Sequence, residues 1–271
     1  MSRARSLPAL GIAVLLSAAV IACGAGTATD VRQAGGTRST AASAAPTHWE
    51  YEGARGPGAW GGLDPAFAAC AAGREQSPVD LSAAAATPGA RPVVVDYRPT
   101  VPTEVVNTGH TIQVNLPAGN ALTVDGTRYE LRQFHFHLPS EHTVDGANRD
   151  MELHLVHQNE SGGLAVLGVL LTAAEAGSPF GSLWTVLPGA AGAKAAFDRP
   201  VDLIAFLPAA RAQLRYPGSL TTPPCTEGVA WTVLTDPMPI GPDQLTRYRQ
   251  LFTGSNRPTQ PLGVRKVGSA G

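Results

Sequence analysis

A chain of 271 residues suits one large domain or two small ones, and an apolar fraction of 44% is enough for a full core. The formal net charge is -1 and only 15% of residues are charged, so no nucleic-acid or acidic-polymer partner is expected.

Arg3 and Arg5 precede an apolar run, Leu7 to Ile21, that is too short for a comfortable membrane span and is followed by small residues. Residues 1–22 are therefore predicted to be an export signal. Val20-Ile21-Ala22-Cys23 resembles a bacterial lipobox, with Val where Leu is commoner, so Cys23 is a lipidation candidate and the signal reads as the lipoprotein type. Ordinary cleavage near Ala22 or Ala25 is the alternative. Either way the protein is expected to be exported: periplasmic, attached to the outer face of a membrane through an N-terminal lipid, or secreted. Residues 23–46 are Ala, Gly, Ser and Thr with scattered charges and are predicted to be a disordered tether spanning about 25 Å.

The folded domain is predicted over 47–268, with 269–271 as a tail. Short β-branched runs between Gly, Pro and Asn predict strands at 93–97, 105–106, 111–116, 121–124, 129–138, 151–157, 164–171 and 229–234. Residues 164–171 are apolar on both faces, as a strand at the centre of a sheet should be. Helix signals are few: 64–72, 179–187 and 243–252. The fold class is mainly β (α+β by helix count), a single domain.

Two of the predicted strands carry chemistry. In Gln133-Phe134-His135-Phe136-His137 a period of two places Gln133, His135 and His137 on one face and both Phe on the other. Cα atoms two apart on a strand are roughly 6–7 Å apart, within reach of one metal ion. Glu152, His154 and Val156 likewise share a face, opposite Leu153, Leu155 and His157. If the two strands are neighbours, His154 completes a three-histidine site, with Gln133 and Glu152 placed to accept ligand N–H groups. Three neutral nitrogen ligands leave a fourth position open, the pattern of one catalytic zinc ion, whereas structural zinc is closed and thiolate-rich. Ferrous iron in an oxygenase is the alternative, but it usually takes a carboxylate as third ligand. If Cys23 carries lipid, Cys70 and Cys225 remain as an even pair, which in an oxidising compartment reads as a disulfide. Two buried free thiols are the alternative.

Ordered motifs then add a resemblance. QFHFHLPSEHTVDG (Gln133–Gly146), MELHLVH (Met151–His157) and SLTTPPCTEGVAW (Ser219–Trp231) resemble an α-class carbonic anhydrase of the bacterial, exported kind. So do HWEYEG from His48, QSPVD from Gln76, NTGH from Asn107, GLAVLGV from Gly163 and RPTQPLGVR from Arg257. The resemblance implies one large twisted, mostly antiparallel sheet of about ten strands with peripheral short helices. It implies reversible hydration of carbon dioxide to bicarbonate and a proton, with His135, His137 and His154 holding zinc. A zinc-bound hydroxide would be oriented by Thr221 and Glu141, and His110 would be the proton shuttle.

Further roles follow from the same likeness. Val156, Val166, Leu220, Thr222 and Trp231 would form the substrate pocket, and Tyr51, Asn107 and Gln113 would order waters. Cys70–Cys225 would be the bridge of bacterial members, while His142 and His157 would make structural hydrogen bonds. Three departures stand out: Leu138-Pro139 where animal relatives have Trp-Gly, Glu50 where Gly is common, and Ser255 where Asn is usual. The last puts one water contact on the cavity rim in question. A catalytically weak carbonic-anhydrase-like binding domain is the competing reading; loss of a zinc ligand would mark it, and all three are present. Oligomeric state stays open between monomer and homodimer.

Overall fold

Phe134, Phe136, Leu153 and Leu155 are wholly buried on one side of two neighbouring strands, Thr127–His137 and Met151–Gln158, and the histidines occupy the other side. That division of faces organises the computed structural model, which describes residues 47–271. The predicted export signal, the tether and Cys23 lie outside the described residues.

A twelve-stranded mixed sheet forms the body, two more strands than the resemblance implied. Its central run is Glu104–Asn107, Ile112–Asn115, Thr127–His137, Met151–Gln158, Leu164–Ala173, Glu227–Ile240 and Gln213–Ser219, in that spatial order. Neighbours in this run are antiparallel except Leu164–Ala173 with Glu227–Ile240. A separate three-stranded sheet joins Asp80–Leu81, Thr143–Val144 and Ala147–Asn148. Leu164–Ala173 is the doubly buried central strand expected of LAVLGVLL.

Two layers of apolar side chains sandwich the sheet. On the phenylalanine face the core continues through Phe180, Trp184 and Phe206 to Tyr248 on the terminal helix Pro242–Leu251. On the histidine face a smaller cluster holds Val166, Tyr216, Val229, Trp231 and Val233. A third, at Trp60, is closed by the Cys70–Cys225 disulfide, with Trp49 and Tyr51 against it.

The other helices shrink to single turns: Trp60–Leu63, Ala69–Ala72 and Gly181–Trp184, with a 3-10 turn at Pro65–Phe67 where Asp64 caps Ala66 N–H. Several strands lie where none was expected, most of them two- or three-residue pieces and one of them long. Gln213–Ser219 contains Pro217 and Gly218, which speak against an interior strand, yet it pairs on both sides. The expected tail at 269–271 is corrected: Gly268–Ala270 pairs antiparallel with Gln213–Arg215 and so belongs to the sheet.

Candidate active site

Strand register brings the three histidines together. His154 lies directly opposite His135, Glu152 opposite His137, and Val156 opposite Gln133. The ring centroids are 5.0 Å apart for His135–His137, 5.3 Å for His135–His154 and 4.5 Å for His137–His154. One nitrogen from each falls within 4.8 Å of the others.

The outward nitrogens are held from behind. His135 Nδ1–H donates to Gln133 Oε1 at 2.8 Å, and His137 Nδ1–H donates to the Ser255 carbonyl at 2.5 Å. His154 Nε2 lies 3.0 Å from Glu152 Oε1, though off the hydrogen-bonding direction. Glu152 is wholly buried and accepts the backbone N–H groups of Glu141 and His142 and the His142 Nδ1–H. Its carboxylate leans over Gly168, where an added Cβ would come within 2.8 Å of Oε1. Burial raises the Glu152 pKa, but His142 and His154 together pull it well below the usual carboxylate range.

The histidines are suited to a metal as they stand. Burial, with mutual repulsion, depresses His135 well below the imidazole range and takes His137 to about 3, so both are neutral near pH 7. His137 Nε2 is buried with no hydrogen-bond partner among the described residues, as is Glu141 Oε2. An inward-facing neutral nitrogen left orphaned beside two further imidazoles fits a cation bound between the three. His142, Glu152 and His154 form a second close grouping, but Glu152 and the Tyr216 hydroxyl, at 2.8 and 2.6 Å, already engage both His142 nitrogens. His157 turns to the other face, where Nδ1–H donates to the Ala165 carbonyl and Nε2 meets the Tyr97 hydroxyl at 2.7 Å.

Glu141 closes the site from the side. Its Oε1 accepts the Arg257 backbone N–H at 2.8 Å, and its Oε2 lies 3.5 Å from His137 Nε2 and 3.9 Å from His154 Nδ1. Burial lifts its pKa to about 7, against the pull of His154, the Arg257 N–H and the Thr221 hydroxyl.

The three histidines form the floor of a cavity of about 350 Å³. Val156, Val166, Leu220 and Trp231 make an apolar wall, Thr221 and Thr222 sit beside it, and Tyr51, Gln113 and His110 are on the approach. A wider groove of about 770 Å³ near Arg91 and Arg215 shares only Trp231 with this cavity and contains none of the histidines. His110 stacks on Trp49 with centroids 3.7 Å apart, and its Nε2–H donates to the Trp49 carbonyl at 2.9 Å.

Two expectations are corrected. Asn107 does not line the cavity: it is buried, donating to the Pro188 carbonyl and accepting the Gly109 N–H, while Thr108 takes its place on the cavity surface. Ser255 is not on the rim either. It is fully buried, and besides holding His137 its hydroxyl accepts the Leu138 N–H at 3.0 Å. Trp49, Thr108 and Thr111 line the cavity without having been expected; Trp49 and Thr108 lie within HWEYEG and NTGH and Thr111 follows the latter, which is the one signal that could have suggested them.

The model of the eukaryotic-type carbonic anhydrase family matches residues 55–270. The chain is 43% identical over 232 residues to a carbonic anhydrase of Neisseria gonorrhoeae, covering 84% of this chain and 90% of the relative. It is 42% identical over 231 residues to one of Nostoc sp., covering 83% and 87%. Among solved structures, the α-carbonic anhydrase of Thermovibrio ammonificans, in complex with the inhibitor sulfanilamide, superposes with a TM-score of 0.80 at 41% identity, covering 83% of this chain and 100% of that one.

Proposed function

The chain belongs to the eukaryotic-type (α-class) carbonic anhydrase family and is a carbonic anhydrase, and from that premise we propose how its own residues carry out the reversible hydration of carbon dioxide. His135, His137 and His154 would hold one zinc ion. Zinc supplies Lewis acidity that brings a coordinated water's pKa toward neutrality, a generalisation that rests on this very family.

The remaining steps belong to the protein. Gln133, Ser255 and Glu152 fix the ring orientations and keep the inward nitrogens free to bind. Glu141, anchored through Oε1 by the Arg257 N–H, accepts the Thr221 hydroxyl proton. That leaves Thr221 Oγ1 as an acceptor and so directs the attacking oxygen's lone pair toward the substrate carbon. Carbon dioxide has little to hydrogen-bond, and the wall of Val156, Val166, Leu220 and Trp231 suits it. His110 carries the released proton from the cavity to solvent.

The observation that carries this reading is the set of three converging imidazoles, His137 and His154 buried and His135 half-buried, each with a polar partner behind its outward nitrogen. Metal analysis should find about one zinc per chain, and His154→Ala should lose both the metal and carbon dioxide hydration in stopped flow. Activity retained in that variant removes the ligand assignment.

The Cys70–Cys225 bridge supports export, because disulfides persist in oxidising compartments. On this reading the protein works outside the cytosol, either held by lipid on Cys23 or freely secreted, and the lipobox-like Val20-Ile21-Ala22-Cys23 favours the anchor. Membrane fractionation tests this: the wild type should sediment with membranes and Cys23→Ala should be released.

A further inference from the structure

Four segments converge on a cavity of about 390 Å³ that shares no lining residue with the catalytic one. Leu138 and Pro139 follow the histidine strand, Arg149 precedes Met151, Thr172 lies toward the end of Leu164–Ala173, and Arg249 is in the last turn of the terminal helix.

Asn148 donates its amide to the Ser140 carbonyl, but two other polar atoms here, Arg149 Nε and Thr172 Oγ1, are both buried without a hydrogen-bond partner among the described residues. Arginine and lysine ion pairs among the described residues are those of Arg128, Lys194 and Arg215, so neither Arg149 nor Arg249 is neutralised. Asp150 is also on the lining, but its Oδ2 accepts the Ala173 N–H at 2.8 Å. Two guanidinium groups against one engaged carboxylate leave a net positive charge, which disfavours a cation. Unpartnered donors beside a cavity of net positive charge call for an acceptor, and a guanidinium fork matches an oxyanion edge.

We propose that this cavity is a binding site for a small oxyanion of the bicarbonate or phosphate type, held between Arg149 and Arg249 with the Thr172 hydroxyl as a further donor. The family's own reaction produces one such anion. The site also adjoins the catalytic floor: Leu138 N–H donates to Ser255 Oγ, and the Ser255 carbonyl holds His137. The proposal does not rest on the metal or on the catalytic roles given above.

The test is a titration of the zinc-loaded protein with inorganic phosphate and, separately, with bicarbonate, balanced with sodium chloride to constant ionic strength. Thermal midpoint is the readout. A saturable rise is expected with at least one anion. Arg149→Lys, which keeps the charge and loses the fork, and Arg249→Gln, on an exposed helix face, should each weaken binding about tenfold. Both variants should keep wild-type hydration activity, which shows that they fold. If Arg149→Lys does not fold, Arg249→Gln and Thr172→Val decide. The proposal is overturned if neither anion gives a shift beyond the chloride control. It is equally overturned if the shift survives in the folded variants, since the anion then sits elsewhere, the catalytic cavity included. A response to phosphate alone, or to bicarbonate alone, that the substitutions abolish identifies which anion the site takes.

Discussion

The floor of the catalytic cavity and its rim hold histidines in opposite ways. At the floor, each outward nitrogen meets a side chain or carbonyl, and those partners are themselves anchored: Glu152 by two backbone N–H groups and His142, Ser255 by Leu138. At the rim, His110 has one hydrogen bond, to a backbone carbonyl, and one stacked ring. Its neighbour His48, 6.4 Å away between centroids, pairs with Glu50 in the open. A metal ligand must not reorient, so rigidity is built around it; a proton carrier must exchange with solvent, so little is built around it.

The sharpest way to break this contrast is at Glu141. Glu141→Gln keeps the shape and the Arg257 contact but replaces an acceptor with a group that can donate toward Thr221. Hydration should fall by about a hundredfold or more while zinc content stays at wild type. Loss of zinc instead would make Glu141 part of the metal's support and not of the orienting chain. Next comes Glu152→Ala, which strips the acceptor from His142 and two backbone N–H groups and the support behind His154. Zinc affinity, measured by chelator competition, should drop about 10–100-fold; an unchanged affinity would show that the floor's rigidity does not depend on this shell.

Legibility in the sequence divides along the same line. The floor follows from strand periodicity, which needs no long-range information beyond the pairing of two strands; the two are neighbours, and their register sets His154 opposite His135. Glu141 and Thr221 were legible only through the ordered motifs, because no period links a loop residue to a strand. Ser255 was read only as a departure from the usual Asn; its hold on His137 runs through its backbone carbonyl, which residue type does not announce. Asn107 was misplaced because it ends the Glu104–Asn107 strand, buried, while the loop after it turns Thr108 outward to the cavity. In the same way Pro217 and Gly218 hid a strand whose pairing is decided by its neighbours.

At the rim, His110→Ala should lower turnover about tenfold in weak buffer. The rate constant for substrate capture should stay near wild type, and added imidazole should restore turnover. A rim histidine that were merely structural would show neither the buffer dependence nor the rescue, and stability would fall instead.

His157 offers the smallest effect and the cleanest control, because it is as buried as His137 and His154 and has no part in the cavity. Burial takes its pKa from the ordinary 6.5 to about 3, despite the Ala165 and Leu155 backbone groups that favour the proton. The unfolded chain therefore binds a proton near pH 6.5 and the folded chain does not until about pH 3. Its contribution to stability is complete above 6.5, declines as pH falls through that window, and changes no further below 3. His157→Gln should flatten the acid limb of the stability curve by about 2–4 kcal/mol across the window. It should also lower stability at neutral pH, since the Tyr97 contact is lost. His135 and His137 are depressed in the same direction, but added zinc would occupy them and alter their acid response, whereas the His157 difference should be the same with and without added metal. Parallel acid limbs for wild type and His157→Gln would mean that the buried ring titrates as if exposed. The burial argument would then fail for the floor as well.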